Sequence, residues 1–199
     1  GHFNVSDLSL LKAIFESAKD LAVPVIIGTS EGEAGFLGRS QATALIKSLR
    51  KEYDFPIFLN SDHTHSLEEV KKAVTVGYDA ILFDGGTLPL EENIRQTKEV
   101  VDYVKSVSPK IIVEGELGNI GSGSVIRKEL PPGVALSGSP GAVINPEDLT
   151  KPEDALRFVK ETGVDMLAPA VGNLHGMFAN APEPALNIER IKAIKKVVK

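Results

Sequence analysis

The sequence predicts an α/β protein built on parallel strands, and three observations carry that reading. Short apolar runs alternate about six times with stretches of helical period. The runs are nearly all apolar, as in strands covered on both faces. Each run stops at a polar or charged group: Asn4, Ser30, Asp62-His63, Asp84, Glu116 and His175. Strand–helix alternation implies right-handed crossovers between parallel strands. Reactive groups at the carboxyl ends of successive strands suggest one shared mouth, at the top of a (β/α)8 barrel.

The elements follow in order. GHFN is a first strand, and Asp7 or Ser6 caps a helix over Leu8 to Leu21. Val23 to Ile27 is a strand, and Ser30 then precedes a turn holding Gly32 and Gly35. Gln41 to Tyr53 has helical period, and Phe55 to Leu59 is a strand. Ser66, with Glu69 three residues on, forms a capping box for a helix to Val76. Ala80 to Phe83 is a strand, Glu91 to Val107 a helix, and Lys110 to Val113 a strand continuing to Glu116. Asp154 to Thr162 is a helix ended by Gly163. Met166 to Val171 is a strand and Ile188 to Val198 a helix.

A doubly wound sheet would show a Gly-rich turn after its first strand; Asn4-Val5-Ser6 stands there instead. A barrel needs eight units and about 250 residues. Six units in 199 residues read as a partial barrel, one domain over 1–199, with both ends incomplete. Residues 118–150 are rich in Gly, Ser and Pro and lack both periods. They read as a mobile loop over the mouth, with a plain insertion as the alternative.

Composition narrows the function. Hydrophobic content of 42% and charged content of 25% suit a globular protein. No apolar stretch approaches the roughly 20 residues that cross a bilayer, so no membrane partner is expected. A net charge of −5, with both signs mixed along the helices, argues against nucleic acid. There is no cysteine, which excludes disulfide and thiolate chemistry and fits a cytoplasmic location.

Two strand-end histidines, His63 and His175, could converge on a metal such as Zn²⁺, which takes imidazole nitrogen. The bland alternative is that Asp62 caps the next helix and His63 is a satisfied polar group. His65 reads as solvent-facing, and His2 as core or an extraneous terminus. A catalytic zinc takes three protein ligands, and Glu116 is the best local oxygen donor. Glu114 and Glu116 share a strand face. Paired carboxylates repel unless a cation or proton intervenes, which makes a pocket cation plausible. The alternative pairs Glu114 with a lysine. Asp84 precedes Gly85-Gly86 and marks a tight turn.

Together these segments resemble the class II, zinc-dependent ketose-bisphosphate aldolases. GHFN, SDH, FDGGTLPLEENIRQTKEVVDYV, VEGELGNIG and TKPEDALRFVKETGVDMLAPAVGNLHG match family segments in order, almost from end to end. The resemblance implies reversible cleavage of fructose 1,6-bisphosphate to dihydroxyacetone phosphate and glyceraldehyde 3-phosphate. Alternatives are tagatose 1,6-bisphosphate as substrate, or a non-catalytic barrel that binds a metal or sugar phosphate. It implies Asp62 as the acid/base, and His63, His175 and Glu116 as zinc ligands. Asn4, Ser30 and Gly176 would bind substrate, with Asp84, Glu114 and Gly172 around them. Gly172 and Gly176 would let backbone approach substrate or a monovalent cation. The partner would be a phosphorylated ketose, and the assembly a homodimer or larger homo-oligomer. Two departures stand out. The family's third zinc histidine and its phosphate loop would lie beyond Lys199. Its acidic loop motif after ELG is replaced by GSGSVIRKEL, where Glu129 is an unmatched substitute.

Overall fold

A computed structural model of the chain describes residues 1–120, 149–178 and 185–198. It also describes three short backbone strands, Ile126–Arg127, Val134–Leu136 and Ala142–Ile144. The chain divides into two compact units: Gly1–Phe83 with Glu99–Glu114, and Asp84–Lys98 with Gly115–Lys199.

The first unit begins with strand β1 (His2–Asn4) and helix α1 (Leu8–Asp20). The Asp7 carboxylate caps α1 by accepting from the Leu10 amide at 2.9 Å. Leu11, Phe15 and Ala18 recur at helical spacing and are buried. Strand β2 (Val25–Thr29) leads into α2 (Glu31–Leu37) and α3 (Arg39–Tyr53). Helix α2 departs from the expected turn. Gly32 and Gly35 lower helix propensity. They are outweighed by Ser30 and Glu33, which form a reciprocal capping box at its start.

Strand β3 (Ile57–Thr64) runs five residues past the apolar run that marks it in the sequence. Helix α4 (Leu67–Val76) starts at Ser66, whose hydroxyl accepts from the Glu69 amide, and stops at Gly77 with φ of 98°. The Glu69 carboxylate goes to Arg39 and Lys72 instead of completing the expected box. Strand β4 (Ala80–Phe83) follows.

Parallel register pairs Asn4 with Gly28, Gly28 with Asn60, and Asn60 with Ala80. Ile27 and Leu59 point to the other face and are buried with Phe15 and Leu11. Ile26 and Phe58 lie on the face of Gly28 and Asn60 and are 37% and 42% exposed. Full coverage of both faces is therefore not met there. A parallel barrel buries its inner face only when eight strands close it.

Helix α5 (Leu90–Val107) and strand β5 (Ile112–Leu117) pass from one unit to the other. The second unit adds the strands β6 (Ile126–Arg127), β7 (Val134–Leu136) and β8 (Ala142–Ile144), helix α6 (Pro152–Thr162), β9 (Met166–Pro169), β10 (Met177–Phe178) and α7 (Ile188–Val197). Within 118–150, β7 and β8 pair antiparallel, and β6 pairs parallel with β10. Apart from these strands and residues 118–120 and 149–150, the anticipated loop, Glu129 included, lies outside the described residues. Pro152 opens α6 and Gly163, at φ of 74°, ends it. Phe158 is fully buried and packs against the bare Cα of Gly115, where a Cβ would come within 2.8 Å of its ring.

The main sheet has the order β1-β2-β3-β4-β5-β9, which follows the chain. Six parallel strands with helices between them are the arrangement of a partial (β/α)8 barrel, as the alternation predicts. Among the described residues no helix is long and apolar enough to cross a membrane.

Candidate functional site

Position along a strand separates stability from chemistry in this architecture. At the amino end of β3, Arg50 donates to the Ile57 carbonyl at 2.6 Å and to the Asp79 carboxylate at 2.6 Å. Asp79 in turn accepts from the Leu59 amide. These contacts fasten α3, β3 and the start of β4. The residues expected to react stand at the carboxyl ends.

Asp62 and His63 owe their placement to a β-bulge. Ser61 pairs with Ile81, but Thr64 pairs with Phe83, so β3 carries one extra residue there. Adjacent residues of a regular strand point to opposite faces. The bulge removes that constraint. Asp62 reaches the Asn4 amide on the inner face, and Glu114 feels the charge of both Asp62 and His63. His63 holds φ of 46°, in the left-handed region, at a cost of about 1–2 kcal/mol for a non-glycine residue. A buried contact between the Ser61 and Thr64 hydroxyls at 2.9 Å spans the bulge.

Asn4 sits half-buried at the end of β1. Its Nδ2 donates to Asp62 Oδ2 at 2.9 Å and to Glu33 Oε2 at 3.0 Å. Gly28 makes room for it, since a Cβ there would lie 2.3 Å from Asn4 Oδ1. Ser30 is engaged as the cap of α2: its hydroxyl and backbone amide both donate to Glu33 Oε2 at 2.8 Å. Glu114 is half-buried, and its carboxyl is held above the usual range. Burial is the larger cause; the Asp62 charge adds to it and His63 opposes it. His65 is exposed, and its backbone amide donates to Glu31. His2 is also exposed, its ring 3.3 Å from Asn60 Nδ2, so it is not core.

In the second unit, Asp84 is buried and accepts from the Gly86 amide at 3.1 Å, closing the predicted tight turn. Glu116 is 2% exposed. Its carbonyl accepts from Asn93 Nδ2 at 2.8 Å, and Asn93 Oδ1 accepts from Thr97 at 2.9 Å. A Cβ on Gly86 would fall 2.5 Å from Glu116 Oε1, so only glycine leaves this carboxylate its space. Thr150 is buried between two strand ends: its hydroxyl donates to the Leu117 carbonyl at 2.6 Å and accepts from the Ala170 amide at 2.9 Å. A cavity of about 280 Å³ opens at this end, lined in part by Gly86, Gly118, Thr150 and Lys151. His175 is half-buried and donates its backbone amide to Ile120 at 2.8 Å. Gly172 and Gly176, on either side of it, have φ of 112° and 96°. A Cβ on Gly172 would also meet the Ala185 carbonyl at 2.5 Å.

Glu33, Asn93 and Thr150 are absent from the sequence reading of the site. Ser30-x-x-Glu33 was a legible signal, being a capping-box pattern. Asn93 and Thr150 act through backbone carbonyls, which leave no mark on residue spacing.

A parallel barrel with acids and imidazoles at its strand ends defines the class of site; comparison with known proteins defines the family. The family model for class II fructose-bisphosphate aldolase matches residues 1–199. The fructose-bisphosphate aldolase of Helicobacter pylori is 31% identical over 198 residues, covering 99% of this chain and 60% of that protein. The fructose-bisphosphate aldolase of Giardia intestinalis is 34% identical over 197 residues, covering 98% of this chain and 55% of that protein. The crystal structure of the YdjI aldolase from Escherichia coli K12 superposes with a TM-score of 0.78 at 30% identity, over 100% of this chain and 63% of that one. The chain belongs to the class II fructose-bisphosphate aldolase family, whose members depend on a metal ion. It spans 60% or less of the length of these two curated relatives.

Proposed function

We propose that this chain supplies most of the active site of a zinc-dependent aldolase that cleaves fructose 1,6-bisphosphate. The products are dihydroxyacetone phosphate and glyceraldehyde 3-phosphate. The observation that carries the reading is the family match over residues 1–199, with His63 near the end of β3, Glu116 near the end of β5 and His175 beyond β9 as donors of the kind the family's metal needs. Two imidazoles and a carboxylate are a donor set that Zn²⁺ accepts. The bare Gly86 that makes room for Glu116 supports the same assignment. When bound, zinc would supply a Lewis acid for the oxygens beside the breaking bond.

The residues themselves divide the remaining work. Asp62 takes the proton from the C4 hydroxyl. The C4–O electrons form the aldehyde carbonyl, the C3–C4 bond breaks, and its electron pair stays with C3 beside the C2 carbonyl. Asn4 holds Asp62 Oδ2, which leaves Oδ1 for the substrate hydroxyl. Asn4, Ser30 and Gly176 serve the substrate, with Asp84, Glu114 and Gly172 forming the polar wall. A monovalent cation near Gly172 and Gly176, a homodimeric or larger assembly and work in the cytoplasm belong to the same reading.

The test is turnover by the complete protein, with and without chelator, on fructose and tagatose 1,6-bisphosphates. The expected result is loss of cleavage on chelation, recovery with Zn²⁺, and a fall in kcat of about 10²–10⁴-fold in Asp62→Asn. Full activity in metal-free enzyme sinks the zinc assignment. Preference for the tagatose sugar replaces the substrate and keeps the mechanism.

A further inference from the structure

Asn4 has one amide nitrogen with two hydrogens, and two carboxylates take both of them. One goes to Asp62 Oδ2 at 2.9 Å and the other to Glu33 Oε2 at 3.0 Å. The same Glu33 oxygen accepts from the Ser30 amide and the Ser30 hydroxyl, each at 2.8 Å. Glu33 is thus held by two donors of Ser30, independently of Asn4. A terminal amide torsion is otherwise broad and nearly two-fold. Turning the Asn4 amide over would set its oxygen against two carboxylates. It would also move Oδ1 away from the bare backbone of Gly28. Glu33 therefore selects the single amide orientation in which Asn4 can donate to Asp62.

We propose that Glu33 is a positioning residue of the active site, aiming the Asp62 carboxylate through Asn4. The charged neighbours of this relay in the same unit are His63 and Glu114 at Asp62, and Glu31 at the start of α2. The inference rests on the assignment of Asp62 as the proton acceptor, and its test separates the two. Misaiming a reacting group by about 1 Å costs about 10²-fold. Glu33→Ala in the zinc-loaded complete protein should accordingly lower kcat by about 10–100-fold, with KM within about 3-fold. Glu33→Gln keeps an acceptor oxygen and should recover most of that loss. A merely structural role would add to the loss at Asn4, whereas a relay would not. Glu33→Ala combined with Asn4→Ala should therefore be no slower than Asn4→Ala alone.

Equal zinc content and equal melting temperature in the variants keep folding out of the comparison. If Glu33→Ala does not fold, Glu33→Asp, which withdraws the carboxylate by one methylene, gives the same contrast. An inactive Asp62→Asn beside an unimpaired Glu33→Ala overturns this inference alone, as do losses that multiply in the double variant. An active Asp62→Asn overturns the proton-acceptor assignment and this inference with it.

Discussion

Gly86→Ala is the sharpest perturbation of the second unit. The added carbon would lie 2.5 Å from Glu116 Oε1 and 2.7 Å from the Gly118 carbonyl. Carbon–oxygen contacts settle near 3.3–3.6 Å, so the carboxylate must retreat by about 0.8 Å and the carbonyl by about 0.6 Å. The backbone of Gly86 is not left-handed, so the whole effect comes from crowding. Overpacking of this kind costs about 1–3 kcal/mol. For a domain of this size that lowers Tm by about 2–12 °C. If Glu116 holds the metal as proposed, its displacement should also weaken metal binding by about 10–100-fold, the scale of losses seen when ligand orientation is disturbed. Thermal melting and chelator competition measure the two effects. Gly35→Ala is the control: its added carbon meets nothing within 4 Å, and it should stabilise α2 by about 0.5–1 kcal/mol. A Gly86→Ala protein that melts with the parent refutes the crowding argument.

Two further outcomes are expected. Thr150→Val removes the hydroxyl shared by Leu117 and Ala170 and should cost about 1–3 kcal/mol in urea unfolding. Thr150→Ser should recover most of it, and equal stability of the two variants counts against the bridge. Glu69 is held below the ordinary carboxylate range, first by the hydrogen bond from Lys72, then by the charge of Arg39, with desolvation opposing. A lowered folded value means its contribution is present above the unfolded value and is lost as pH falls through the folded one. Glu69→Gln should therefore cost about 1 kcal/mol at pH 7 and nothing once both values lie above the pH. A deficit that does not change with pH contradicts the ion-pair account.

Period and punctuation made most of the fold legible. Leu11, Phe15 and Ala18 mark the buried stripe of α1 through spacing alone, and Gly163 marks a left-handed stop. Helix α2 was hidden because its two glycines speak for a turn, while the cap that rescues it depends on Glu33 bending back to Ser30. The length of β3 was hidden because its last four residues, Ser61 to Thr64, are polar. Their strand character comes from neighbours β2 and β4, not from their own propensity. At the site, Asp62 and Glu116 could be singled out as strand-end acids. What holds them, the Asn4 amide on one and the Asn93 bond behind the other, lies 58 and 23 residues away along the chain. No local pattern reports contacts of that range.

The irregular rung of β3 makes the proposed chemistry depend on a count. An extended chain sends neighbouring side chains to opposite walls, so one strand cannot ordinarily offer an acid and the next imidazole to the same chamber. The surplus residue between Ser61 and Thr64 permits it, at the expense of an awkward backbone at His63. Deleting one residue there would straighten the ladder, relieve the strain and turn the imidazole toward the helices.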